Sequence, residues 1–164
     1  MRHGRSDRGS TSRRTGMAVV EFAIVLPLFV TLLFGIWEVG RMVQVSQILA
    51  NAAREAARQA STGTTDLPTI QTTIQQYVQQ AEPRITNFTG FKVAFADISR
   101  PSVADPTNCV QLDHFSITIT MPFDNVRWSL TKMFAPTGTQ LSARVDWYSM
   151  ADLPITVTTG MPIE

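Results

Sequence analysis

Outside its carboxylates, the chain offers few side chains with the reactivity for covalent or acid–base chemistry: the single cysteine, Cys109, and His114, which follows Asp113. A second histidine, His3, stands in the basic N-terminal stretch. A thiol, an imidazole and a carboxylate are the ingredients of nucleophilic hydrolysis, which needs the base within hydrogen-bond reach of the nucleophile and an acid to orient the base. The spacing does not supply this. His114 opens an alternating apolar stretch in which consecutive side chains point to opposite faces, so Asp113 and His114 diverge. Cys109 falls in the loop before them. One thiol also excludes an intrachain disulfide framework and a multi-cysteine metal site. Asp97, Asp105, Asp113 and Asp124 are scattered rather than spaced as a calcium loop, and no phosphate-loop, nucleophile-elbow or H-E-x-x-H pattern occurs. The chain is therefore read as non-enzymatic, with no catalytic residue, metal, cofactor or small-molecule substrate expected.

A different carboxylate calls for explanation. Glu21 lies inside MAVVEFAIVLPLFVTLLFGIW, and Phe22–Trp37 carries no charge. Sixteen helical residues rise about 24 Å, and counting from Met17 gives about 31 Å, enough to cross the hydrocarbon core. An ionised carboxylate in such a helix costs roughly 2.5–3.5 kcal/mol on insertion scales, and a cation beside it would offset part of that. Pro27 within the same run predicts a kink, tolerated in membrane helices where neighbours satisfy the freed carbonyl. Just upstream, Gly16 follows a leader, residues 1–16, with five arginines and one acid. Basic residues before the span and few after it predict a cytoplasmic N-terminus and an extracytoplasmic C-terminal domain. Trp37 suits the outer interface, and Glu38 and Arg41, three apart on one helical face, are placed to pair there.

The remaining elements follow from periodicity. The transmembrane helix, residues 17–40, should continue through 41–61, because Met42–Ala60 contains no Pro or Gly. Met42, Val45, Leu49, Ala52, Ala53, Ala56 and Ala60 form one apolar stripe that narrows to alanine, fit to lie close against a sheet or another helix. Gly63 stops it. Asp66-Leu67-Pro68 reads as a second helix start, with Asp66 as capping acid. Ile70, Ile74, Tyr77, Val78 and Ala81 form its apolar face, and Pro83 closes it. Phe91–Phe95, Phe115–Met121 and Leu141–Trp147 alternate as strands, with a loop at 99–109 and a turn with a short helix at Phe123–Phe134. Consecutive strands without crossover helices predict an antiparallel sheet and an α+β domain over residues 62–150, followed by a tail, 151–164. Beyond the leader the chain holds nine basic and twelve acidic residues, so no nucleic-acid partner is expected.

The junction RRTG-MAVVEF, with a glycine before a long apolar helix and a glutamate five residues on, resembles the processing site of type IV prepilins. More narrowly, VEFAIVLPLFVTLLFGIWEVGR followed by NAAREAARQAS resembles the TadE-like proteins of tight-adherence pilus systems, as do Met121-Pro122-Phe123 and Leu141-Ser142-Ala143 more loosely. The tail after Trp147 is longer than that pattern. The resemblance implies cleavage by a prepilin peptidase between Gly16 and Met17, and a register role for Glu21 against the freed amine of Met17. It further implies partnership with other pilins and the tight-adherence assembly machinery, in the cytoplasmic membrane and in a surface fibre. The expected function is a minor pilin or pseudopilin serving adhesion; the alternative is a permanently anchored extracytoplasmic binding or regulatory domain that does not polymerise.

Overall fold

The computed structural model describes residues 11–126 and 138–151, with side chains from residue 16 onward. Residues 1–10, 127–137 and 152–164 lie outside the described residues, and with them most of the stretch expected to hold a turn with a short helix. The chain divides into two units, Met1–Gly40 and Arg41–Glu164.

The first unit is formed by the early part of helix α1 (Thr11–Ser61). The helix starts at Thr11 rather than at Met17, so the end of the leader is helical. Extending an existing helix upstream avoids the nucleation cost, and that outweighs the roughly 1 kcal/mol penalty of Gly16. Every residue from Gly16 to Phe34 is exposed. α1 runs through Pro27, whose missing N–H leaves the Ala23 carbonyl without its ladder donor. One turn on, the Thr31 hydroxyl donates to the Pro27 carbonyl at 2.8 Å.

The second unit is α+β. It holds the rest of α1, helix α2 (Leu67–Ala81), and a three-stranded antiparallel sheet of β1 (Lys92–Asp97), β2 (His114–Pro122) and β3 (Gln140–Tyr148) in the order β1-β2-β3. Single 3-10 turns occupy Pro106–Asn108 and Phe123–Asn125. The register sets Val93 opposite Ile119, Phe95 opposite Ile117 and Asp97 opposite Phe115, with Ala143, Val145 and Trp147 following on β3. Because side chains alternate, this register sends one apolar set to a single face. That face, the α1 stripe from Val45 to Ala60, and Ile70, Ile74 and Val78 of α2 make one core. Ala52, Ala53, Ala56, Ala57 and Ala60 are at most 1% exposed, so the alanine stripe faces the core. Tyr77 and Ala81, by contrast, stay at the edge of the α2 face and are exposed.

Gly63 ends α1 with φ +66°, its N–H donating to the Ala60 carbonyl at 3.1 Å. A Cβ there would sit 3.0 Å from the Ala151 Cβ, so both conformation and space favour glycine. The start of α2 departs from expectation. Asp66 occupies the N-cap position but makes no side-chain cap; the Leu67 N–H is bound by the Asp105 carboxylate at 3.1 Å instead. Tertiary folding brings a loop acid 38 residues away to the helix end, and that acid takes the capping role.

Candidate functional site

The residues singled out for processing and assembly all belong to α1. Gly16 carries no side chain, and a Cβ built there meets nothing within 4 Å. Met17 is 78% exposed and Trp37 66% exposed. Met17 and Glu21 are one helical turn apart, hence on one face, and Glu21 is exposed. From Met17 to Val39 the apolar side chains point outward with no core of their own. A helix this long and apolar can cross a membrane, and it fits a single-pass anchor.

At the end of this segment the expected Glu38–Arg41 pair is replaced by other contacts. Glu38 is buried, and neither carboxylate oxygen has a hydrogen-bond partner among the described residues. The Arg41 Nε donates to the Val126 carbonyl at 2.7 Å, and its Nη2 lies 3.8 Å from Glu82 Oε1. Gln44 adds a bond to the other Glu82 oxygen at 3.3 Å, and Arg84 approaches the first at 3.9 Å. Glu82 is itself buried. Arg41 thus ties α1 to the end of α2 and to the segment after β2. Sequence reading missed Glu82 because its partner is 41 positions away in number and no local pattern marks the pairing.

A second polar cluster pins the long β1–β2 loop. Asp97 accepts from the Arg100 backbone N–H at 2.7 Å and from the Cys109 thiol at 3.8 Å. Asp113 accepts from the Arg100 guanidinium and from the Val110 N–H. Asp97, Cys109 and Asp113 bring their ligand atoms within 4.8 Å of one another, a spacing that a metal could in principle bridge. Here the oxygens are engaged by donors already present, and Arg100 supplies the positive charge, so the arrangement works as a loop clamp. The guanidinium holds the Asp113 carboxyl below the usual range, and this outweighs burial. Burial, then the Asp97 and Asp113 carboxylates, push the Cys109 thiol up to about 11, which leaves it protonated and poorly nucleophilic at neutral pH. His114 stacks on Tyr148 at 4.8 Å between ring centroids; Asp113 faces Arg100. The divergence expected of adjacent strand residues is what the side chains adopt.

An open groove elsewhere in the second unit is lined by Asn51, Arg54, Glu55, Arg58, Tyr77 and Trp147. Arg58 forks onto Glu55 at 2.7 and 2.9 Å, and Arg54 donates to the neutral Asn51 amide oxygen at 2.7 Å.

The deciding comparison concerns the exposed helix. The family model of the TadE-like protein matches residues 16–58. No curated protein and no solved structure matches the chain. The TadE-like segment begins at the glycine, contains Glu21, Pro27, Trp37, Glu38 and Arg41, and ends one turn before α1 does. The match lies within α1, and the α2–sheet portion lies outside the matched residues.

Proposed function

We propose that this chain is a minor pilin or pseudopilin of a tight-adherence pilus, cleaved by a prepilin peptidase between Gly16 and Met17, and structural rather than catalytic. The observation that carries the reading is an apolar helix, exposed from Gly16 to Phe34, whose one carboxylate sits a single turn beyond the glycine junction. The TadE-like match over the same helix supports it. Cleavage would create an α-amino group at Met17, within reach of its own Glu21 or a neighbour's. In lipid the carboxylate costs insertion energy; in a helical bundle the amine would compensate it and fix the stagger between subunits. The second unit would then stand outside the cytoplasm, carried by the anchor.

N-terminal sequencing or intact mass of membrane-extracted protein tests the cleavage, with a chain starting at Met17 expected. Gly16→Val is a clean probe, because a side chain there has open space in the folded chain, and it should leave the full-length form. Full-length chain recovered beside an active prepilin peptidase would sink the processing step. Glu21→Ala and Glu21→Gln should insert normally yet fail to enter sheared surface fibres at wild-type membrane levels. Normal incorporation of both would instead favour a permanently anchored extracytoplasmic domain.

A further inference from the structure

Within the second unit β2 is covered and β3 is not. Phe115, Ile117 and Ile119 of β2 are fully buried, whereas their register partners Trp147, Val145 and Ala143 are only half-buried. Among the described residues β3 pairs with β2 alone, which leaves one edge with backbone donors and acceptors to offer. The ladder shows which residues face that edge. The Ser149 N–H donates to the Asp113 carbonyl at 2.8 Å, and the Ser149 carbonyl accepts from the Leu112 N–H at 2.9 Å. Ten residues earlier the Thr139 carbonyl accepts from the Phe123 N–H at 2.8 Å. Odd-numbered residues of β3 thus turn their backbone groups to β2. Alternation along the strand turns those of Ser142, Arg144, Asp146 and Tyr148 to the other side. The Met150 N–H, next in that series, donates to the Ser61 carbonyl at 2.7 Å and so bounds the open stretch.

The side chains of this stretch say what fits it. Arg144 and Asp146 are both exposed on the outer face, with the Arg144 Nε 3.1 Å from the Asp146 Oδ1. An antiparallel partner strand from a second copy must set even-numbered residues opposite even-numbered ones, because those carry the outward backbone groups. The charges then choose among the registers. A two-fold axis at Arg144 sets Arg144 against itself, and an axis at Asp146 sets Asp146 against itself. Like charges directly opposite one another destabilise a sheet. Axes at Ala143 or Trp147 bring neither charge opposite one of the other sign. An axis at Val145 sets Arg144 of each copy opposite Asp146 of the other, so opposite charges meet twice. The same axis sets Ala143 opposite Trp147, a small side chain against a large one. The edge is therefore complementary to itself, as a closed two-fold contact requires.

We propose that two copies of this chain join their sheets edge to edge along Ser142–Tyr148 of β3, antiparallel, with a two-fold axis at Val145. The contact belongs to the second unit and requires neither cleavage at Gly16 nor entry into a fibre. The test uses the full chain in detergent micelles. In a Cys109→Ser background, Val145→Cys should give a disulfide-linked dimer under mild oxidation. The two Cα atoms at the axis, a pair without backbone hydrogen bonds, would lie about 4.5 Å apart, within the range for a bridge. Ala143→Cys should not bridge, because its counterpart is displaced four residues along the strand, about 13 Å. Arg144→Asp or Asp146→Arg alone should weaken the dimer about tenfold in sedimentation equilibrium, as two attractive pairs turn repulsive. An equimolar mixture of those two variants should recover wild-type affinity, since opposite signs meet again, and so should the double variant Arg144→Asp with Asp146→Arg. A loss of folding would not be repaired by mixing. Bridging at 143 equal to that at 145, bridging at neither, or a dimer whose strength ignores both charge variants would overturn the proposal.

Discussion

Cys109 and Asp113 show how the same cluster suppresses one reactivity and stabilises one ionisation. The thiol, raised from 9.0 to about 11, should hold roughly a hundredfold less thiolate at neutral pH than an unperturbed cysteine. Iodoacetamide labelling of Cys109 at pH 7.5 should therefore be slower than that of the urea-unfolded chain by at least that factor; equal rates would mean the loop clamp is open. Asp113 titrates in the other direction. Its folded pKa is depressed by Arg100, so the pair stabilises the fold above the ordinary carboxylate pKa, and that stability is lost as pH falls through about 4 and below. Urea midpoints measured at pH 6 and pH 3 should drop more for wild type than for Arg100→Gln, whose Asp113 lacks the charged partner. Asp97, Cys109, Arg100 and Asp113 are all visible in the sequence, yet nothing in their spacing announces a clamp. Loop closure, not periodicity, brings them together.

At the scale of elements, the start of α2 separates local propensity from tertiary capping. Asp66 has the residue type and position of a cap and makes no cap bond. Asp105 binds the Leu67 N–H, and it also accepts from the Thr107 N–H and hydroxyl at 3.0 and 2.7 Å. Burial alone would raise its pKa, but these hydrogen bonds, from the Thr107 hydroxyl first, outweigh it and lower the pKa. Asp105→Ala should cost about 1–2 kcal/mol, the usual range for loss of a helix cap. Asp66→Ala should change stability by less than about 0.5 kcal/mol, as for other surface sites. Denaturant midpoints of the two variants decide the assignment, and a larger loss at Asp66 would reverse it. The strands and helices themselves were legible: β1, β2 and β3 fall on the alternating runs around Phe91–Phe95, Phe115–Met121 and Leu141–Trp147, and α1 ends where Gly63 requires.

For the whole molecule, the proposed orientation makes a topological prediction. Reporter fusions after Ala60 and after Glu164 should be active only as extracytoplasmic reporters, because five arginines precede the apolar helix. A cytoplasmic reporter active at either site would contradict the proposed membrane arrangement. Arg41 gives the same scale a structural test. Its bond to the Val126 carbonyl and its approach to buried Glu82 join three segments of the second unit. Arg41→Ala should lower the stability of that unit by about 1–3 kcal/mol, the range for a lost hydrogen bond to a charged group, without reducing membrane insertion. Heat denaturation followed beside membrane fractionation reads both.

The sequence by itself determined the exposed apolar helix, the alanine stripe, the α+β class and the strands, because each is written in a local period or in unbroken hydropathy. Only the tertiary structure decided which acid caps α2, that Arg41 turns to Glu82 and Val126 rather than to Glu38, and that Asp97, Cys109 and Asp113 close on Arg100. Those choices depend on segments tens of residues apart meeting in space. A chain that lists donors and acceptors in order does not record which of them packing will bring within three ångströms.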